Sequence, residues 1–373
     1  MCQSQCHFRT FVFLSMPLTA QIESSIQIHG FGGWAGGSTS NSNEFASMAN
    51  RQTPLDNYYF GLNFSAQLER NVQIVAQPCW QTNLSGDELV LDYVFAQWMI
   101  SSKFGFRVGK IKNPIGIYSE ILNVGTLRPF YLPPQGRYLG AIQSYTGIGF
   151  IGTIGAGPLE VSYHLFSGSQ KYQQMVIEQP FGVDPITLAP KFLSFHLDPG
   201  GRNLVGGRLT LGTPVSGFII GASATSSVLY YSLEGAPYMK VADKRTTTYA
   251  GQAEYTDERI LFRAEYWYMD NPMSKINNGF TEAAFKFTSN WQAALEYDWA
   301  RFKMYSLDEI LNRHQAVGAG LAYWVNAGLV FKLNHYWVKG NNLAKPVNTA
   351  ESTVLGTLKE KTKVLIFGTQ FSF

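Results

Sequence analysis

The last ten residues, Val364-Leu365-Ile366-Phe367-Gly368-Thr369-Gln370-Phe371-Ser372-Phe373, read as a strand with two unlike faces. At a period of two, Leu365, Phe367, Phe371 and Phe373 fall on one side. Ile366, Gly368, Gln370 and Ser372 fall on the other. Side chains alternate across a strand, so the aromatic side needs an apolar environment. A barrel wall facing lipid supplies one, and so does a soluble sheet lying on a core. The rest of the chain separates the two by how often the pattern recurs and by what fills the opposite face.

About sixteen strand-like runs recur, from Ile26–Trp34 to Val364–Phe373. In one, Trp291, Ala293, Leu295, Tyr297 and Trp299 oppose Gln292, Ala294, Glu296 and Asp298. In another, Ile260, Phe262, Ala264, Tyr266 and Tyr268 oppose Arg263 and Glu265. The second face is small or charged, and aromatics such as Trp34, Tyr58, Trp267 and Trp337 gather near strand ends, as in interfacial girdles. Tight polar turns (69–71, 102–103, 155–157, 212–214, 257–259, 289–290, 325–326) alternate with links at 35–57, 82–88, 111–145, 167–202, 228–245, 270–277, 303–313 and 339–363. Short and long connections in strict alternation are expected of a transmembrane antiparallel β-barrel with short periplasmic turns and long outer loops.

Composition agrees. Charged residues are 15% of the chain, against roughly 25% in soluble domains. No stretch approaches the ~20 apolar residues of a membrane helix. A net charge of +3 without a Lys/Arg cluster argues against nucleic acid as a partner. Residues 1–20 read as a signal peptide, with Arg9 before the apolar run Thr10 to Leu18 and cleavage after Ala20. That leaves 21–373 as one barrel domain. It also leaves Cys79 as the single cysteine, with neither a disulfide nor a cysteine metal site.

Motifs for chemistry are weak. Gly147-Ile148-Gly149-Phe150-Ile151-Gly152 matches a phosphate-cradling pattern but lies inside a strand and precedes no helix. The six histidines make no metal-ligand spacing, and no G-x-S-x-G occurs. Neither cofactor nor metal is implied, and the expectation is a non-enzyme.

The most specific segment is Phe104-Gly105-Phe106-Arg107-Val108-Gly109-Lys110-Ile111-Lys112-Asn113-Pro114-Ile115-Gly116, followed by Arg128-Pro129-Phe130. A strand ending R-x-G-K, then a Pro-Gly loop, then R-P-F, resembles bacterial porins, including the phosphate-selective porin O and P group. Elsewhere the resemblance is one of architecture. It implies passive diffusion of small hydrophilic solutes and ions across the bacterial outer membrane. It also implies a homotrimer and a third outer loop, here 111–145, folded inward as a constriction. Phe371 and Phe373 resemble the closing signature that barrel-assembly machinery reads in Gram-negative outer-membrane proteins.

The chain departs from the phosphate-selective pattern, for the loop has no dense Lys or Arg ladder. Inward-facing charges are mixed: Arg107, Arg208, Arg263, Lys286 and Lys332 against Asp92, Glu160, Glu254, Glu265, Glu282, Glu296 and Asp298. Arg107, Lys110, Lys112, Glu120, Arg128 and Arg137 are expected at the constriction. Arg263, Glu265, Glu282 and Glu296 are expected on the facing wall. Unpaired loop cations would then give a weak anion preference. Two other classes stay open: an outer-membrane hydrolase with a rim active site, and a non-conducting surface barrel used for adhesion.

Overall fold

The computed structural model describes residues 26–40, 43–45, 57–83, 86–138, 143–172, 175–183, 190–233, 236–305, 312–340, 344–346 and 361–373. Sixteen strands close into one antiparallel barrel. They are β1 (Ile26–Thr39), β2 (Asn57–Glu69), β3 (Val72–Asn83), β4 (Gly86–Ser101), β5 (Phe104–Lys112), β6 (Ser144–Ala156), β7 (Leu159–Lys171) and β8 (Pro190–Gly212). The ring continues with β9 (Phe218–Leu233), β10 (Thr246–Thr256), β11 (Ile260–Asp270), β12 (Ser274–Lys286), β13 (Trp291–Met304), β14 (Asn312–Asn326), β15 (Leu329–Lys339) and β16 (Lys361–Ser372). Each pairs with its neighbour in sequence, and β16 returns to β1. Met175–Val183 and Met239–Lys240 add to the ends of β8 and β9, and Asn43–Phe45 pairs with Ala344–Pro346.

The seam runs from Phe31↔Ser372 to Thr39↔Val364. Phe373 extends it, exchanging both backbone hydrogen bonds with Gly30 at 2.9 Å. Its ring lies over Gly30, where an added Cβ would fall 2.1 Å from the ring. Any larger residue at Gly30 would displace the terminal aromatic.

The burial pattern inverts that of a soluble protein. On β13, Leu295 is 65% exposed while the adjacent Glu296 is 4% exposed. On β16, Leu365 and Phe367 face out while Val364, Ile366 and Gln370 are fully buried. Large apolar groups outside and charges inside fit a wall solvated by lipid.

Strict alternation of short and long connections does not hold. The 82–88 link is a hairpin in which Asn83 pairs with Gly86. The 270–277 link is a three-residue turn, 271–273, in which the Asn271 carboxamide accepts from the Met273 and Ser274 amides at 2.8 and 2.7 Å. Asn closes such turns by standing in for backbone. The strand read at 203–211 begins at Pro190, because most of the 167–202 link pairs with itself as a hairpin. The proposed signal peptide, with Cys2 and Cys6, lies outside the described residues. Cys79 is free and buried.

Phe373→Ala should lower the yield of folded barrel, because it removes the ring that closes the seam over Gly30. Heat-modifiable gel mobility measures that yield. Wild-type yield in the variant would show that the ring contributes nothing to closure.

Candidate constriction site

The chain leaves β5 through Gly109, whose φ of 138° and contact with the Val94 carbonyl admit no side chain. At the end of β5, Lys112 meets Asp92, 2.6 Å away. The Asn113 amide donates to the Gln143 carbonyl at 2.9 Å and pinches the neck of the loop. Residues 113–138 then cross the lumen and lie against inward-facing side chains of β11–β16.

Glu265 on β11 is the first anchor. Its carboxylate accepts from the Ile117 amide at 2.9 Å, the Arg137 Nε at 2.5 Å and the Tyr138 hydroxyl at 2.6 Å. Gly116 permits this approach: it has φ 94°, and a Cβ there would sit 2.4 Å from Glu265 Oε1. Arg137 is also held between the rings of Tyr138 and Trp267, at 4.6 and 5.1 Å.

The second anchor is Tyr118. Its hydroxyl donates to Glu282 on β12 and accepts from Arg263 Nη1 at 2.9 Å. Arg263 pairs with Glu254 as well and donates to the Leu127 carbonyl at 3.0 Å. Burial first, then the Glu282 charge, holds the Tyr118 phenol well above its ordinary range, so it stays a donor. Burial and then Glu265 do the same for Tyr138.

The third anchor explains the R-P-F motif. Arg128 is buried, and its Nη1 and Nη2 donate to the carbonyls of Leu122 and Tyr131 at 2.5 and 2.8 Å. Phe130 lies against Tyr336 in the hollow left by Gly318 and Gly320 on β14. Lys332 Nζ on β15 donates to the carbonyls of Gly125, Arg128 and Phe130 and to Gln370 Oε1, at 2.8, 2.7, 3.2 and 2.6 Å. The Tyr131 amide donates to Asn334 Oδ1 at 2.8 Å. A buried ammonium with four acceptors is satisfied, and the loop backbone supplies three of them.

These contacts correct the expectation of unpaired loop cations. Lys112 is neutralised by Asp92, Arg137 by Glu265, and Arg128 is spent on loop carbonyls. Lys110 donates to the Leu91 carbonyl. Among the wall acids, Glu265 and Glu282 bind the loop rather than face it across a gap. Glu296 is buried opposite Glu282, and its Oε2 has no partner. Burying an unpaired charge in a low dielectric is costly, so the docked loop pairs Lys112 and Arg137 with wall carboxylates.

Beside the docked loop, Arg107, Arg208 and Glu120 stay partly exposed. Arg107 is half-buried, and its Nε donates to Gln97 Oε1 at 2.7 Å. Arg208 on β8 lies 3.7 Å from Glu120, whose side chain is 46% exposed. His164, between these arginines on β7, contacts the Tyr145 hydroxyl at 3.0 Å. His314 contacts Asp298 at 2.6 Å, and Asp298 also accepts from the Gly136 amide. Among the described residues no serine, threonine or cysteine hydrogen-bonds either histidine, and no group of three His, Cys, Asp or Glu side chains could hold a metal. Sequence reasoning placed Arg208, Asp92, Asp298 and Lys332 on the inner face but did not join them to the loop. Their inward position was legible; their partners were not, for Arg208 and Glu120 lie 88 residues apart and Lys332 and Gly125 lie 207 apart.

No protein-family model and no curated protein matches the sequence. Solved structures do match. OmpF of Salmonella typhi, in complex with daunomycin, has 13% identity and a TM-score of 0.57, over 94% of this chain and 98% of that one. The outer membrane channel DcaP of Acinetobacter baumannii has 12% identity and a TM-score of 0.53, over 94% and 97%. The trimer form of OmpT, an outer membrane protein of Vibrio cholerae, has 10% identity and a TM-score of 0.52, over 94% and 99%. The chain has the porin-like fold of a bacterial outer-membrane barrel. Its apolar outer wall places that barrel in the outer membrane. Membership of the phosphate-selective group has no support in these matches.

Glu265→Ala should undock the loop, since it strands Arg137, the Tyr138 hydroxyl and the Ile117 amide. Breaking a buried pair from one side costs about 3–5 kcal/mol. Limited proteolysis of the folded barrel should then cut within 113–138, whereas the wild type resists. Equal resistance would show that the remaining anchors suffice.

Proposed function

We propose that the protein is a porin through which small hydrophilic solutes and ions diffuse passively, with no covalent step. The observation that carries this reading is the inserted loop. It fills the lumen against β11–β16 and leaves Arg107 and Arg208 on the β5–β8 side, with Glu120 facing them from the loop. Charges on opposite sides of a narrow opening act on passing ions more strongly than in bulk water, since the walls exclude water and focus the field. The selectivity then comes from Arg107 and Arg208, not from the consumed loop cations, and gives a weak anion preference. Glu120 limits it to a bias. Phosphate specificity is not part of the reading, because Arg107 and Arg208 make no dense cation ladder and Glu120 faces Arg208. The trimer form of the Vibrio cholerae neighbour supports a homotrimer.

Folded protein in a planar bilayer should give discrete conductance steps without an energy source, and folded protein that never conducts would remove the porin reading. Arg107→Glu with Arg208→Glu should move the reversal potential in a salt gradient toward cations, most at low salt where screening is least. An unchanged reversal potential at retained conductance would place the permeation path elsewhere.

A further inference from the structure

The inner wall away from the docked loop has a different surface. Between residues 113–138 and strands β6–β10, the one ion pair or hydrogen bond among the described residues joins Glu120 to Arg208 at 3.7 Å. That is too long for a hydrogen bond. The register sets a patch of nine inward positions around Arg208. Arg208 itself lies between His164 on β7 and Ser223 on β9. One row along are Ser162, Thr210 and Gly221, and one row back are Phe166, Gly206 and Thr225. Phe166 is buried and stacked on Tyr145 at 4.7 Å. The rest of the patch is a guanidinium, an imidazole, hydroxyls and glycine.

Arg208 departs from the way this chain uses arginine elsewhere inside the barrel. Arg128, Arg137 and Arg263 spend their donors on carbonyls, a carboxylate or a phenol. Arg208 donates no hydrogen bond among the described residues, and its Nε is buried without a partner. Its side chain is only 18% exposed. A guanidinium mostly out of water with its donors unspent is costly unless something else accepts from it. The hydroxyls of Ser223 and Thr225 make no hydrogen bond among the described residues either, whereas Ser162 meets the Thr153 hydroxyl at 2.9 Å.

We propose that this patch binds small hydroxylated carboxylates, the sugar-acid class, as they pass through the lumen. The inference rests on the pore reading above and narrows its solute. The planar fork of Arg208 fits a carboxylate with two parallel hydrogen bonds. Glu120, with its side chain 46% exposed on the loop, is the counter-ion that such a carboxylate exchanges for. Its charge beside the site limits the guest to one negative charge. The hydroxyls of Ser162, Thr210, Ser223 and Thr225 trade hydrogen bonds with a polyol in place of water, and Gly206 and Gly221 put no side chain over it. An apolar acid leaves those hydroxyls unpaired, and a site built to hydrogen-bond a hydroxyl discriminates against a guest without one. A neutral sugar satisfies the hydroxyls but leaves the guanidinium unspent.

The test reads binding by saturation-transfer NMR on the full folded chain in detergent, which needs no conducting channel. The probes are glucuronate, glucose, acetate and glucose 6-phosphate. The wild type should bind glucuronate at least about fivefold more tightly than each of the other three. Arg208→Gln should weaken glucuronate binding at least about tenfold, as expected from losing a charge-assisted pair, and remove the preference over glucose. Ser223→Ala with Thr225→Val should weaken glucuronate severalfold and leave acetate unchanged, and it covers the case in which the Arg208 variant folds poorly. Glucuronate bound no better than glucose or acetate, glucose 6-phosphate bound as tightly, or wild-type affinity in both variants would each overturn the proposal. Bilayer conductance separates this from the pore reading. A barrel that conducts but shows no preference for glucuronate loses this inference alone, and one that binds glucuronate as stated but never conducts keeps the site and loses the pore.

Discussion

Closure of the backbone ladder is the constraint on which the rest depends. Lipid offers no hydrogen bonds, so a sheet can cross a membrane only if no strand edge is left open. Here β1 meets both β2 and β16, and the chain's last residue continues the ladder onto Gly30. Once the ring is shut, each strand has one face toward lipid and one toward the lumen. That explains why Leu295 is exposed beside a buried Glu296. The order of hydrophobicity in a soluble core is turned inside out by the identity of the solvent.

Inside the ring, charge is governed by desolvation. A loop threaded through the lumen brings Arg128 and Arg137 into contact with the wall and takes them out of water. Bare charge there would cost several kcal/mol per ion, on the order expected for buried groups. Glu265 on the wall answers Arg137, loop carbonyls answer Arg128, and the loop backbone answers Lys332. The loop is therefore held by an interlocking set of charges, and most of the charge in the lumen is structural. Arg107, Arg208 and Glu120 stand apart from these anchors and stay partly exposed. Most inward-facing charges along β11–β16 are anchors for the loop.

The same accounting distinguishes the outer face. Cations in the lumen find carboxylates or carbonyls, but those at the outer end of β12–β16 face one another across the strands.

Period-two alternation was enough to determine the barrel, its number of strands and which residues face the lumen, because side-chain direction in a strand is a local property. It also fixed the outward set Leu365, Phe367, Phe371 and Phe373, and it placed Arg107, Arg263, Glu265, Glu282 and Glu296 on the inner wall. Loop lengths were less legible: 82–88 and 270–277 contain too many polar residues to look like strand, yet pairing and an Asn-closed turn tighten them. What only the tertiary structure decided was which charges are free. Arg137 and Glu265 are 128 residues apart in sequence, and Lys332 and the Gly125 carbonyl it holds are 207 residues apart. No local pattern encodes such pairs. They follow from ring closure, which brings β11–β16 around to face the loop that leaves β5, and from the low dielectric inside, which favours pairing of buried charges.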